Sequence, residues 1–313
     1  MTIRQYSSQH ADEWNLFVAQ AKNGTFLFDR RYMDYHADRF EDCSLMFYDD
    51  KERLCALLPA NKKGNTFHSH QGLTYGGVIT NEQMTAAEMC QLFKELNTWL
   101  ASQGITHVVY KPVPAIYHTL PAEEDLYALF LVCHAQLTGR DIASTIQTEH
   151  PVKWRRDRRY GANKAKTNGI TIEASNDYAS FWQVLNENLQ LKYGVRPVHS
   201  LEEIQLLHSR FPKNIRLYIA KLNGKTIGGT VLYLNRQTVH AQYISASPEG
   251  KRLHAIDAIY ERILLHDFNK YKFIDFGKST EEHGYNLNET LIYQKEGFGG
   301  RGICYDTYEW DIK

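Results

Sequence analysis

The most informative part of the chain is FIDFGKS at residues 273–279, followed by LIYQKEGFGG at residues 291–300. The first stretch is a short apolar strand that runs into a polar loop. The second places Lys295 just before a glycine-rich turn. Open α/β sheets hold their ligands where buried strands open onto residues such as Gly, Lys, Ser and Glu. The two stretches therefore predict an α/β fold with a ligand site at the end of this strand.

The residues before this strand predict a regular series of elements. Asn223-Gly224, between two apolar runs, is the strongest short-range signal for a hairpin. A further strand and a long amphipathic helix follow the hairpin. The predicted elements of this half are strands at 216–222, 225–234, 239–246 and 273–276 and a helix at 251–270.

The first half of the chain repeats this order of elements. Its predicted elements are strands at 45–48, 54–60, around His68 and at 105–110, and a helix at 84–103 that ends at Gly104. The two series are offset by roughly 165 to 170 residues, which indicates an internal duplication. We therefore predict two domains, 1–150 and 151–313, with a boundary in the polar stretch around Pro151.

Composition and charge exclude several classes of protein. A chain of 313 residues favours two domains, and its hydrophobic content of 43% is typical of a globular rather than a disordered protein. The net charge is +0, so anion binding must come from local clusters of charge. The five cysteines and the dispersed histidines lack the spacing of metal ligands, and we expect no bound metal.

Targeting signals are also missing from the sequence. Residues 1–15 contain neither a basic nor an apolar leader segment, and the longest apolar run, at 126–135, is about half of what a membrane span needs. We therefore expect a cytoplasmic protein without membrane insertion.

A basic segment, KWRRDRRYGANKAKTNGI, begins at Lys153. On a helix, Arg155, Arg158, Arg159 and Lys166 share one face. Like charges at this spacing repel by a few tenths of a kcal/mol, and a bound anion would turn that penalty into a gain. Two interpretations stay open, a solvated charged face and a site for a phosphorylated substrate or an RNA backbone. Few aromatic residues flank the segment, so the evidence for nucleic acid is weak.

Residues 273–279 and 291–300 resemble the C-terminal signature of the Fem-type (FemAB-like) peptidyltransferases and their relatives in the GNAT acyltransferase superfamily. The arginines followed by Asn163-Lys164-Ala165 and Gly169-Ile170 look like the start of the second domain in that group. The resemblance implies an α/β fold of two tandem GNAT-like units, each a mixed central sheet flanked by helices. It also implies an N-acyl or aminoacyl transferase with its active cleft in the second domain.

The resemblance also locates a loop for the donor. GNAT enzymes hold the donor pyrophosphate with an Arg/Gln-x-x-Gly-x-Gly/Ala pattern, and the corresponding stretch here is SPEGKRL at residues 247–253. Gly250 is present, but Arg252 stands where a second small residue is expected. Lys251 and Arg252 could still pair with phosphate. The implied co-substrate is acyl-CoA or aminoacyl-tRNA with no tightly bound cofactor, although residues 176–211 are too few for the long tRNA-binding hairpin of the Fem-type group.

Catalytic roles follow from the same resemblance. Lys295 matches the family lysine before Gly-Phe-Gly and would stabilise an oxyanion or contact a donor phosphate, the alternative being a surface lysine in a loop. Tyr243 and Ser245 alternate along one predicted strand, so they share a face, and Tyr243 is a candidate general acid unless it only packs. Glu281 is a candidate base at the strand exit, with His283 as another.

Substrate contacts are predicted around the same strand exit and in the first half. Lys278 and Ser279 follow the strand, and Tyr75 lies in the glycine-rich loop QGLTYGG, which is also interpretable as a structural turn. The acceptor would be an amine on a small molecule or a cell-envelope precursor, with tRNA or an acyl carrier protein as further partners. The alternative is a non-catalytic, degenerate transferase that binds a phosphorylated metabolite. The sequence leaves the oligomeric state open.

Overall fold

The structure is a computed structural model that describes residues 1–313, apart from the side chain of Tyr193. It contains two compact units, each built from separate segments of the chain. Unit 1 comprises Met1–Ile142, Thr280–Asn286 and Cys304–Lys313, and unit 2 comprises Ala143–Ser279 and Leu287–Ile303. The predicted division into 1–150 and 151–313 treated the domains as continuous halves, and it stays a prediction.

The α-helices occupy both units. Along the chain they are α1 Ala11–Gln20, α2 Arg30–Met33, α3 Ala86–Ser102, α4 Glu124–Leu131, α5 Arg156–Thr167, α6 Tyr178–Tyr193, α7 Leu201–Arg210, α8 Pro248–Arg252, α9 Ala255–Arg262 and α10 Glu289–Gly297. A π-helical turn, Ile263–Asp267, continues α9.

The strands are numbered in the same way. They are β1 Thr2–Gln5, β2 Glu41–Asp42, β3 Leu45–Tyr48, β4 Leu54–Leu58, β5 Asn61–Lys63, β6 Thr66–His68, β7 Ile79–Thr80, β8 His107–Tyr110, β9 Gln136–Gln147, β10 Thr171–Ser175, β11 Ile215–Leu222, β12 Lys225–Leu234, β13 Thr238–Ala246, β14 Phe273–Lys278, β15 Thr280–Glu281, β16 Asn286–Leu287 and β17 Arg301–Asp311.

Unit 1 contains an antiparallel sheet in the order β1-β3-β4-β7 and a mixed series in the order β17-β8-β6-β5-β2, in which β6 and β8 are parallel. Helix α3 connects the parallel pair. It begins with a capping box in which Thr85 and Glu88 satisfy each other's backbone N–H groups. Its apolar face, including Leu92, Phe93 and Leu96, is fully buried in the core of the unit.

Unit 2 is a mixed sheet in the order β10-β11-β12-β13-β14, with residues 143–147 of β9 beside β14. All neighbours are antiparallel except β13 and β14, which are parallel and connected through α8 and α9. The core lies between the sheet and α9, where Ile259 and Tyr260 pack with Val239, Ile274 and Phe298. Both units thus contain a parallel strand pair joined by helix, as the duplication predicted.

The helix predicted at 251–270 is interrupted. His254 takes the left-handed conformation, with φ of 63°, and separates α8 from α9. The His254 Nδ1 atom lies 3.0 Å from Oδ2 of Asp257, a contact that helps to fix this turn. Hydrophobic spacing did not reveal the break because Leu253, Ile256 and Tyr260 keep a helical spacing across His254.

Candidate active site

The candidate site lies where β13 and β14 part. Their parallel register joins Thr238 with Phe273, Val239 with Ile274 and His240 with Asp275. Beyond these pairs, β13 continues to Ala246 and β14 to Lys278 with no further pairing between the two strands over their described residues. The carboxyl ends of adjacent parallel strands are the usual ligand position in open α/β sheets.

A β-bulge decides which side chains of β13 share a face. Leu232 of β12 is the register partner of Ala241, and Val231 is that of Tyr243, so Gln242 is an extra residue. On one side of the sheet, Ala241 belongs to the core and Ile244 packs against it. In a regular strand, residues on one face are an even number of positions apart. Ala241 and Ile244 are three apart, so the alternation of side chains between the two faces shifts by one residue at the bulge.

The shift brings His240 to the face that carries Tyr243 and Ser245. Strict alternation would place residues 240 and 243 on opposite faces. The sequence pattern grouped Tyr243 with Ser245 but did not single out His240. No signal in the sequence marks the bulge, so only the register shows it.

Tyr243 is held within unit 2. Its hydroxyl lies 2.6 Å from Nδ1 of His199 and accepts a hydrogen bond from the His199 backbone N–H at 3.2 Å. The ring makes an edge contact with Trp182 of α6 at a centroid distance of 5.2 Å. Burial raises the pKa of Tyr243 to about 12, so its hydroxyl keeps its proton. Its role as a general acid stays a prediction.

Two buried serines lie in the same unit. Ser245 and Ser279 each have a buried hydroxyl oxygen with no hydrogen-bond partner among the residues that the structure describes. Such groups are uncommon in folded proteins. The Ser279 carbonyl accepts a hydrogen bond from the backbone N–H of Asn288 at 2.9 Å. Catalysis by Ser245 and substrate binding by Ser279 stay predictions.

Lys295 is buried on α10 with 6% of its surface exposed. The interpretation as a surface lysine in a loop is therefore wrong. Its ammonium donates hydrogen bonds to the carbonyl oxygens of Gly277 at 2.9 Å and Lys278 at 2.7 Å. Burial lowers the pKa of Lys295 to about 8, and the negative charge of Asp275 partly opposes this effect. The third N–H has no partner in the described structure.

Asp275 is fully buried beside this ammonium. Its Oδ2 lies 2.7 Å from Nδ1 of His240, and its Oδ1 accepts hydrogen bonds from the Thr145 hydroxyl and the Gly277 backbone N–H, each at 3.0 Å. Gly277 has a φ of 69°, a left-handed conformation that glycine adopts without strain. The end of β14 is thus fixed at the Gly277 N–H by Asp275 and at the carbonyls of Gly277 and Lys278 by Lys295.

The remaining predicted residues of the strand exit and of the glycine-rich loop have different surroundings. Lys278 is exposed and belongs to unit 2 with Lys295. Glu281 is exposed and belongs to unit 1. Tyr75, also in unit 1, is buried with 2% exposure and packs on Tyr117 at a ring-centroid distance of 4.6 Å. The structure therefore brings Lys278 and Ser279 together with Lys295. The roles of Glu281 and Tyr75 stay predictions.

Two of the predicted arginines, at the N-cap and in the first turn of α5, contact the protein itself. The Arg155 guanidinium lies over the Tyr293 ring, 3.3 Å from its centroid, and donates to the Tyr293 carbonyl. Arg158 Nη1 lies 2.7 Å from Oδ1 of the buried Asp257. Arg159 is exposed and lines an open cavity of about 330 Å³. Substrate binding by the three arginines stays a prediction, and Arg159 is the one left exposed to solvent.

The predicted donor loop consists of α8 and its N-cap residue Ser247. The Ser247 hydroxyl accepts the Gly250 N–H at 3.1 Å, and the Ser247 carbonyl accepts the Lys251 N–H at 2.9 Å. A Cβ on Gly250 would lie 2.1 Å from the Ile227 carbonyl oxygen, so this glycine permits close packing on β12. The Gly250 N–H is thus already bonded within the protein, and donor binding by Gly250 stays a prediction. The exposed side chains of Lys251 and Arg252 can still contact an anion, and their role stays a prediction.

Comparison with known proteins assigns this region to a class. Residues 153–285 match the family described as Acetyltransferase (GNAT) domain. This segment holds β13, β14 and the Ser247–Arg252 turn, so the candidate site lies largely within an acyltransferase domain. Residues 153–285 therefore match a GNAT acetyltransferase domain, which supports the predicted acyltransferase. No curated protein matches its sequence.

Solved structures show the fold of the whole chain. FemX is similar with a TM-score of 0.70 and 10% identity, over 100% of this chain and 98% of that one. The C-terminal domain of a protein assigned as a lysylphosphatidylglycerol synthetase from Agrobacterium fabrum is similar with a TM-score of 0.64 and 11% identity. The similarity covers 97% of this chain and 92% of that one. A tandem GNAT protein from the clavulanic acid biosynthesis pathway is similar with a TM-score of 0.50 and 10% identity, over 100% of this chain and 98% of that one. The predicted tandem GNAT-like fold is confirmed.

Within the described residues, no helix is both long enough and apolar enough to cross a membrane.

Proposed function

We propose that the chain transfers an acyl or aminoacyl group to an amine of a small-molecule or cell-envelope precursor acceptor. The donor would be a thioester or an aminoacyl-tRNA, and the reaction would occur at the carboxyl ends of β13 and β14. The observation that carries the proposal is the buried ammonium of Lys295, held at the end of β14.

Acyl transfer to an amine needs an uncharged nucleophile, a stabilised oxyanion and a protonated leaving group. Lys295 suits the second task. Two of its N–H bonds are fixed by the carbonyls of Gly277 and Lys278, which aim the third without further reorganisation. A pKa of about 8 leaves the ammonium largely charged at neutral pH. In a poorly hydrated site this charge stabilises an oxyanion more strongly than it would in water.

More than one class of donor fits the side chains of α8. Lys251 and Arg252 offer positive charge from their side chains, which suits the phosphates of a CoA thioester, an acyl carrier protein or a tRNA. Because the Gly250 N–H already donates to the Ser247 hydroxyl, recognition would depend mainly on these side chains. Both donor classes are made in the cytoplasm, where we therefore expect the reaction.

The acceptor proposal draws on the structural neighbours. The name of the Agrobacterium fabrum protein denotes a lipid joined to a lysyl group, a cell-envelope molecule. Arg159, exposed on α5, is the candidate contact for a phosphate or carboxylate of such an acceptor. A panel of amines identifies the acceptor by experiment.

Thermal stabilisation by candidate donors tests the proposal first. The probes are acetyl-CoA, longer acyl-CoAs, free CoA, and a tRNA pool in charged and uncharged form. A ligand at about 100 times its Kd should add roughly 2.7 kcal/mol of stability. The donor that binds is then supplied with a panel of amines, and amide formation is measured.

Lys295→Met should abolish amide formation while the donor still binds, and Lys270→Met, on an exposed lysine outside the site, should behave as wild type. Full activity of Lys295→Met would contradict the role given to this residue. Donor binding with no transfer to any amine would favour the non-catalytic alternative.

A further inference from the structure

We propose that His240 is the general base of the transfer and that Asp275 positions it, an inference that rests on the function proposed above. His240 lies on β13 and Asp275 on β14, 35 positions apart in the chain. They become neighbours because they form the last register pair before the two strands part. The imidazole therefore lies where the gap between the strands begins.

Asp275 is built to hold one orientation. Its carboxylate is fully buried, and its contacts include His240 through Oδ2 and the Thr145 hydroxyl and Gly277 N–H through Oδ1. A buried carboxylate that is satisfied on both oxygens has little freedom to rotate. The direction of its Oδ2 is thus fixed toward the ring.

This contact sets the tautomer of His240. A carboxylate accepts hydrogen bonds, so the 2.7 Å contact requires the proton of the neutral ring to lie on Nδ1. The lone pair is then on Nε2, which has no hydrogen-bond partner among the described residues. The side chain of His240 is 12% exposed, so the ring is not sealed in the core. A free basic nitrogen on a partly accessible ring is what proton abstraction needs.

Gly277 links this pair to Lys295. Its N–H is held by Asp275, and its carbonyl accepts from the Lys295 ammonium. A Cβ on Gly277 would lie 3.1 Å from Cε1 of His240, so the glycine leaves room for the ring. Gly277 therefore contacts both the positioning residue of the base, Asp275, and the oxyanion-stabilising residue, Lys295.

Charged and titratable groups lie near His240 on several neighbouring elements. Asp275 faces it from β14, Lys295 lies behind Gly277 on α10, Tyr233 is its register partner on β12, and Tyr260 of α9 lies near Asp275. Asp275 stabilises the imidazolium that forms during transfer, and Lys295 opposes it.

The step conserves atoms and charge. The acceptor nitrogen uses its lone pair to form the N–C bond to the acyl carbonyl carbon. The bond between that carbon and the leaving sulfur or oxygen breaks, and the leaving atom keeps the electron pair. His240 Nε2 takes the proton that the nitrogen loses and returns it to the leaving atom, so the products are an amide and a thiol or hydroxyl.

The tautomer can be tested without any substrate. The full chain is labelled with ¹⁵N-histidine, and the His240 signals are identified by their loss in His240→Gln. Two-bond ¹⁵N–¹H correlations above neutral pH should show a neutral ring protonated on Nδ1. Asp275→Asn should shift the proton to Nε2, because the new amide can donate to Nδ1. A ring already protonated on Nε2 in the wild type would overturn the proposal.

Kinetics test the role of the base. With the donor and amine found for the wild type, His240→Gln should lower kcat about 100-fold or more, leave donor KM within a few-fold, and remove one ionisation from the kcat–pH profile. His208→Gln is the matched control, because His208 is also half-buried and bonded through Nδ1, at 3.0 Å to the Ile215 carbonyl. An unchanged kcat or an unchanged pH profile in His240→Gln would overturn the proposal.

The two proposals fail in different ways. If the wild type transfers nothing from any donor, the proposed function is wrong and the role of base falls with it, while the tautomer still reports the His240–Asp275 pair. If transfer occurs and His240→Gln is as active as His208→Gln, only the assignment of the base is wrong. Should Asp275→Asn fail to fold, the His240→Gln profile and the wild-type tautomer decide the question.

Discussion

The Nζ atom of Lys295 lies 2.9 Å from the carbonyl oxygen of Gly277. This hydrogen bond ties α10 to the end of β14 and carries a positive charge into a buried position. A cation there costs stability as long as it is protonated. The contact therefore links the chemistry of the site to the stability of the fold, and that link can be measured.

Stability should rise with pH in a manner specific to Lys295. Its folded-state pKa of about 8 lies below its ordinary value of 10.5. Between these values the unfolded chain binds more protons, so a higher pH favours the folded state. From pH 7.5 to 9.5 the wild type should gain about 2 kcal/mol relative to Lys295→Met, as measured by urea unfolding. Lys270→Met should follow the wild type, and parallel curves for Lys295→Met would contradict the shift.

Gly277→Ala should impair transfer beyond its effect on folding. Alanine at φ of 69° costs about 1 kcal/mol or more, and its Cβ would lie 3.1 Å from the His240 ring. Gly169→Ala is the matched control, because Gly169 has φ of 76° with open space around it. Both variants should lose similar stability by thermal unfolding, whereas only Gly277→Ala should lose at least tenfold in transfer rate. Equal activity in the two variants would show that the ring tolerates the methyl group.

Arg158→Ala should destabilise unit 2. Its partner Asp257 is buried, and losing the guanidinium would leave that carboxylate paired only with His254. Breaking such a pair typically costs about 3 kcal/mol. Arg159→Ala, on the exposed neighbour, should change stability by less than about 0.5 kcal/mol. A raised acceptor KM with normal stability in Arg158→Ala would instead support the predicted substrate contact.

Tyr243→Phe separates packing from catalysis. Removing the hydroxyl breaks the contact with His199 and should cost about 1 kcal/mol in denaturant unfolding. Because that hydroxyl is already bonded and buried, we expect kcat to stay within a few-fold of the wild type. A loss of 100-fold in kcat with intact folding would support Tyr243 as the general acid.

Several elements could be predicted from the sequence because their causes are local. The hairpin at Asn223-Gly224 is found with β12 at Lys225–Leu234, as predicted, since turn chemistry and alternating apolar residues act within a few positions. Helix α3 follows the predicted apolar period and ends before Gly104, which has φ of 73°. The tandem order of elements is equally visible, because it is a repetition of such local patterns.

The candidate site depends on features that no local pattern contains. The bulge at Gln242, which changes the face of the strand, appears only when β12 and β13 are paired. Arg158 and Asp257 are 99 positions apart, so the sequence could not show that this arginine is neutralised within the protein. Gly250 of α8 packs closely against Ile227 of β12, a contact that the sequence could not show.

The sequence by itself determined the alternation of strands and helices, their duplication and the importance of Lys295 near the chain end. These features can be predicted because short-range hydrogen bonding and apolar periodicity depend only on residues that are close together in the sequence. Only the tertiary structure decided that Lys295 is buried and that His240 meets Asp275. Those outcomes depend on burial and on pairing between distant strands, which arise once the chain has folded.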